Sequence, residues 1–122
     1  MYKLSIRTSF SAAHNLVNYQ GKCENLHGHN WKVEVTVTAK ELDDAGLGID
    51  FKVMKHEARE VIKELDHKYI NEIPAFNKIS PSSEHIARYL YQCLSARLNN
   101  DMIKVNSIAV CESDNATACY YE

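Results

Sequence analysis

The sequence has no excess of either charge. Its 14 Lys+Arg stand against 16 Asp+Glu, a formal net charge of -2, so it lacks the basic field that nucleic-acid binding requires. No apolar run approaches the ~18 residues needed to cross a bilayer. The first ten residues, MYKLSIRTSF, alternate instead of forming the continuous apolar stretch of a secretory signal. The expectation is a cytoplasmic chain with neither nucleic acid nor membrane as a partner. Cysteine is scarce, only Cys23, Cys93, Cys111 and Cys119, and no two form a CxxC pair. That argues against a zinc ribbon or a thioredoxin-type site, and without a secretory signal the thiols read as reduced. Repeats, low-complexity tracts and linkers are also missing. What is left is 122 residues, 45% hydrophobic and 25% charged, the composition of an ordinary globular protein. This length suits one core and leaves no room for a second domain of ordinary size, so residues 1–122 are expected to form a single domain.

Alternation marks two strands early in the chain. Over residues 2–13, Tyr2, Leu4, Ile6 and Phe10 share one parity. Over residues 27–39, His27, His29, Trp31, Val33, Val35 and Val37 share one face against Asn30, Lys32, Glu34, Thr36 and Thr38. The Asn- and Gly-containing stretch between them reads as a long loop, and Asp43 to Gly46 as a turn. Asp50 suits the N-cap of a helix from Phe51 to Leu65, whose apolar positions Phe51, Met54, Ala58, Val61, Ile62 and Leu65 step mostly by three or four. A second helix is predicted from Pro81–Ser83 to Leu98, ended by Asn99-Asn100. The connection between the helices is longer than packing requires, which suggests function. Strands at 103–112 and 116–121 close the chain around a Ser113-Asp114-Asn115 turn. The order is ββααββ: an α+β protein, a four-stranded antiparallel sheet with two helices on one face.

His27 and His29 are two apart on a strand, so their side chains point the same way. A third histidine would complete a three-histidine zinc site with an open position. His14 ends the neighbouring strand on its apolar parity and is the natural third ligand. Gly28 between them would let a backbone or substrate approach closely. Cys23, four residues before His27, has two readings. It is either a fourth ligand closing a structural site, or a free thiol whose pKa a nearby cation would lower, making it a capable base. Cys93 and Cys111 read as buried and inert. Asp66-His67 could act as an oriented proton relay. Glu112 stands where the period of Ile108 and Val110 calls for an apolar residue, so it is either at a solvated strand end or a buried anchor for two adjacent N–H donors. His56 and His85 read as solvated surface.

FSAAH, CENLHGHN, LDHKYIN, SPSSE opening a helix, and CESDNATACYY occur in that order. The ordered set spans essentially the whole chain and resembles the 6-pyruvoyl tetrahydropterin synthase family. The C-x3-H-G-H spacing of Cys23 to His29 is similar to the bacterial 6-carboxytetrahydropterin synthase (QueD) branch of queuosine biosynthesis. The resemblance implies a zinc-dependent lyase with one Zn2+ per chain on His14, His27 and His29. It also implies Cys23 as the catalytic proton acceptor, Asp66 and His67 as the relay, and Glu112 as the carboxylate that holds the pterin. Ser82, Ser83 and Glu84 match a P-T-x-E stretch lining the pterin pocket, with Ser in place of Thr. The implied substrate is 7,8-dihydroneopterin triphosphate. Glu24 makes the segment also read E-x-x-H-G-H, similar to a folate-synthesis branch in which Glu replaces Cys. A non-catalytic zinc module is the reading from another class, and it leaves Asp66, His67 and Glu112 without a role.

The family is known for the tunnelling fold (T-fold), in which sheets join into a barrel across subunits. So small a sheet has little depth for a pterin, a metal and a triphosphate, and its edges need protection. The resemblance implies a homo-oligomer, a hexamer with sites at its interfaces, which would meet both needs, with His67 or Glu112 reaching a metal site on a neighbouring chain.

Overall fold

The computed structural model describes residues 1–122. Alternating stretches become β1 (Tyr2–His14), β2 (His27–Ala39), β3 (Ile103–Ser113) and β4 (Ala116–Tyr121). The helical stretches become α1 (Phe51–Ile62) and α2 (Ser83–Leu98), with 3-10 turns at Ile70–Glu72 and Pro74–Phe76 between them. The four strands form one antiparallel sheet in the order β1-β2-β3-β4.

β1 and β2 pair without interruption from Tyr2 opposite Ala39 to His14 opposite His27. Because side chains alternate across a pleated strand, Ile6, Phe10, Trp31, Val33, Val35 and Val37 all fall on one buried face. Met54, Ala58 and Val61 of α1 and Ile86, Leu90 and Leu94 of α2 pack into the same core. The opposite sheet face is polar, crossed by Arg7–Glu34, Lys32–Asp114 and Ser5–Thr36 contacts of 2.6–2.8 Å.

β3 keeps an inward face only with help from a bulge. Thr36 pairs with Ser107 and Val37 with Val105, so Asn106 is an extra residue. Val105 and Ile108, of opposite parity, therefore both point into the core.

The predicted Asp50 cap forms, and the structure adds a second cap at Ser82. The Asp50 carboxylate accepts from the Lys52 N–H at 2.8 Å, and the Ser82 hydroxyl from the His85 N–H at 3.2 Å. Two expectations about α1 need correction. The helix ends at Ile62, after which the turn through Leu65 continues with a Leu65 N–H to Ile62 carbonyl bond of 2.8 Å, keeping Leu65 fully buried. Phe51, counted among the inward positions, is 48% exposed, because the first turn overhangs the edge of the core.

The long connection runs back along the free edge of β1. The Ala13 N–H donates to the Lys68 carbonyl at 3.0 Å, and the His67 N–H to the Ser11 carbonyl at 2.6 Å. This places Asp66 and His67 beside the strand end that carries His14.

Candidate active site

The β1–β2 register puts His14 directly opposite His27, with His29 one same-face step further on. The three rings form a closed group, with centroids 4.7 Å apart for His14–His27, 5.3 Å for His14–His29 and 4.7 Å for His27–His29. Trp31 meets His14 and His29 edge-on beneath them, at 4.8 and 5.2 Å. The His14 side chain is buried.

Backbone carbonyls fix which ring nitrogen is free. His14 Nδ1 lies 2.8 Å from the Pro81 carbonyl and His27 Nδ1 lies 2.8 Å from the Asn25 carbonyl. A carbonyl only accepts, so each Nδ1 carries the proton and each Nε2 keeps its lone pair. Burial lowers the His29 pKa below its ordinary 6.5, outweighing the nearby Glu112 carboxylate, so that ring is neutral at pH 7. Nε2 of His14 and of His29 are buried without any hydrogen-bond partner. Buried acceptors left bare are costly, and convergent imidazole lone pairs match a metal cation.

Glu112 completes the group. Its Oε1 lies 3.0 Å from His29 Nε2 and 3.4 Å from His14 Nε2, near contacts that leave both nitrogens without a hydrogen bond. The donor atoms of His14, His27, His29 and Glu112 all lie within 4.8 Å of one another. A second bulge aims the carboxylate. Cys111 pairs with Thr117 and Ser113 with Ala116, so Glu112 is the extra residue of β3. This cluster is able to hold a metal ion.

The other singled-out residues are placed as follows. The Asp66 Oδ1 accepts from the Ser11 N–H at 2.9 Å and lies 3.0 Å from His67 Nδ1. These two contacts, the backbone donor foremost, hold its pKa below the ordinary carboxylate value. His67 sits in the left-handed region at φ 58°, a strained conformation for a non-glycine residue of the kind found at functional positions. Its side chain is 82% exposed and takes no part in the histidine cluster.

Cys23 is exposed, in the loop between β1 and β2, and outside the donor group. The loop carries the thiol away from the histidines, while the bulge brings the Glu112 carboxylate towards them. Glu112 thus faces the histidines of its own chain. Ser82 caps α2, Ser83 and Glu84 open its first turn, and Pro81 just before them supplies the carbonyl that orients His14.

A Cβ on Gly28 would lie 3.7 Å from the Ala12 carbonyl oxygen, an ordinary contact, so no backbone of its own chain crowds that glycine. Two further expectations change. His85 is half-buried, with Nδ1 2.6 Å from the Ser80 carbonyl. Cys93 and Cys111 are half-buried instead of fully buried. The carbonyls of Pro81 and Asn25 and the Trp31 floor were not anticipated. A peptide carbonyl has no signature in a sequence, whereas Trp31, two residues beyond His29 on the same parity, was visible.

A family model described as 6-pyruvoyl tetrahydropterin synthase matches residues 3–122. The Synechocystis sp. protein named 6-carboxy-5,6,7,8-tetrahydropterin synthase is 34% identical over 119 residues, covering 93% of this chain and 88% of that protein. A Haemophilus influenzae protein of the same name is 28% identical over 144 residues and is aligned over the full length of both chains. The solved structure of Caenorhabditis elegans 6-pyruvoyl tetrahydropterin synthase superposes with a TM-score of 0.84 at 26% identity, covering 99% of this chain and 95% of that one. Fold, ordered motifs and relatives agree: the chain belongs to the 6-pyruvoyl tetrahydropterin synthase family.

Proposed function

We propose that the chain is a 6-carboxy-5,6,7,8-tetrahydropterin synthase. It would convert 7,8-dihydroneopterin triphosphate and water to 6-carboxytetrahydropterin, acetaldehyde and triphosphate, as a zinc-dependent cytoplasmic lyase of queuosine biosynthesis assembled as a homo-hexamer. The observation that carries this reading is the convergence of bare imidazole nitrogens beside Glu112 in a chain whose relatives bear that name.

His14, His27 and His29 would hold the zinc, with the Pro81 and Asn25 carbonyls keeping two of them in the ligating tautomer. When bound, zinc supplies Lewis-acid polarisation of the substrate's side-chain hydroxyls, which acidifies the adjacent C–H bonds. The Cys23 thiolate takes a proton from the side chain, and His67 exchanges the proton that must move elsewhere, its ring oriented by Asp66 Oδ1 at 3.0 Å. Glu112 turns Oε1 toward the histidines and leaves Oε2 for the pterin N–H groups, orienting the ring. Ser83 and Glu84, at the start of α2, line the pterin side, with Ser82 holding the helix end. An imidazole as exposed as His67 is free to serve a site on a neighbouring chain, which agrees with a hexamer whose sites lie between subunits.

A folate-branch lyase giving 6-hydroxymethyl-dihydropterin is the second reading, favoured by one observation: Glu24 Oε1 lies 3.7 Å from His27 Nδ1. Incubation with dihydroneopterin triphosphate and mass identification of the product separates the outcomes. The 6-carboxy compound is expected, and a 6-hydroxymethyl or 6-pyruvoyl product would overturn the proposal. Cys23→Ala should keep one metal per chain by elemental analysis and make no product. Loss of the metal instead would return Cys23 to the ligand set.

A further inference from the structure

Near the histidines, β1 turns the backbone groups of Ser11, Ala13 and Asn15 to the free edge of the sheet. The segment after α1 runs parallel beside them. The His67 N–H donates to the Ser11 carbonyl at 2.6 Å, the Ala13 N–H to the Lys68 carbonyl at 3.0 Å, and Ala13 bridges to Tyr69. Asn15 would come next, but Ile70–Glu72 wind into a 3-10 turn that carries the backbone away. The Asn71 side chain takes its place. Its Oδ1 accepts from the Asn15 N–H at 3.0 Å, and its Nδ2 donates to the Asn15 carbonyl at 2.8 Å. Only this orientation of the amide suits both partners, because a flipped one would set donor against donor. The Tyr69 hydroxyl adds a bond to the Asn15 side-chain Oδ1. At the other end the Asp66 carboxylate accepts from the Ser11 N–H at 2.9 Å. A side chain therefore brackets each end of the strip, with His67 between them at φ 58°.

We infer that Asn71 is a positioning residue: its amide stands in for a missing strand partner of Asn15 and holds Asp66 and His67 in register with β1. The inference rests on the proposed reaction, in which those two side chains form the relay. A strip with so few backbone bonds is weak by itself. A left-handed non-glycine residue keeps its conformation only while its surroundings enforce it. His14 is held separately, by pairing with His27 and by the Pro81 carbonyl on its Nδ1. Loss of the Asn71 amide should therefore displace the relay and leave the metal ligands in place.

The test compares Asn71→Ala and Asn71→Asp with the unaltered protein. A third variant, Gly48→Ala, is crowded by the Ala39 Cβ at the far end of the hairpin and controls for lowered stability alone. Turnover of dihydroneopterin triphosphate, Zn2+ affinity by chelator competition, and hydrogen exchange of the Asn15 and His67 amides are measured. Asn71→Ala should lower kcat by about a hundredfold, the scale of a ~1 Å misplacement, with KM and Zn2+ affinity within about threefold. Both amides should exchange at least about tenfold faster. Asn71→Asp keeps the acceptor and loses the donor, so its kcat should fall by about tenfold, between the other two. Gly48→Ala should keep its turnover. Full turnover in Asn71→Ala, or an unchanged His67 exchange rate, would overturn the inference. So would a matching loss of Zn2+ affinity, which would make Asn71 a support of the metal ligands, or an equal loss of turnover in Gly48→Ala. If Asn71→Ala does not fold, full turnover in Asn71→Asp refutes the idea by itself. If the unaltered protein makes no 6-carboxy product, the proposed reaction falls, while the His67 exchange rate still decides whether Asn71 holds the strip.

Discussion

At Asp66 a single carboxylate oxygen serves two partners, the Ser11 amide and the His67 ring, and both favour its charged form. The folded carboxyl therefore ionises at lower pH than the free one, whose ordinary value is 3.8, so the unfolded chain binds more protons as the solution becomes acidic. The stabilising contribution is complete above the ordinary carboxylate range and is lost as pH falls through the folded value. Asp66→Asn should accordingly be less stable than the unaltered protein at pH 6, with the gap closing towards pH 3 in urea unfolding. The same variant should lose turnover, since the amide no longer offers His67 a charged partner. The identity of this pair was legible from the sequence, and so were the three histidines, because period-2 spacing alone puts His27 and His29 on one side. What Asp66 is clamped to was not legible, since Ser11 lies 55 residues away and contributes only a backbone amide.

Strand patterning and helix caps carried most of the element-level prediction. The misses came where a second chain segment decides the geometry. Glu112 was noticed as a carboxylate on the apolar parity of Ile108 and Val110, but only pairing with β4 reveals the bulge that makes it the extra residue. The early end of α1 likewise follows from Leu65 being held in the core outside regular helix. A tight junction just before α1 offers a test at this scale. A Cβ added at Gly48 would lie 2.7 Å from the Ala39 Cβ and 3.2 Å from Leu4 Cδ1. The first neighbour is fixed to the backbone at the end of β2 and cannot rotate away. Gly48→Ala should cost about 1–3 kcal/mol, the usual penalty of overpacking, in thermal or urea unfolding. Metal binding should be retained, because the ligands sit at the opposite end of the same hairpin.

Taken as one molecule, the chain ends its sheet on one side at β4 and on the other at β1, whose edge is covered by the long connection only near Ser11 and Ala13. Exposed strand edges seek partners, and the proposed hexamer would provide them. Sedimentation should give a particle about six times the 13.9 kDa of one chain, and a fully active monomer would refute the assembly. The uninterrupted β1–β2 hairpin also has a bearing on biogenesis. All three histidines sit at its loop end, joined by contacts between neighbouring parts of the chain, and contacts of that kind form early. During synthesis the imidazoles can gather as soon as β2 has emerged. The Pro81 carbonyl and the Glu112 carboxylate arrive only with the later half of the polypeptide. In the proposed metal centre, capture by the imidazoles and closure by Pro81 and Glu112 would thus be separated in time by the direction of translation.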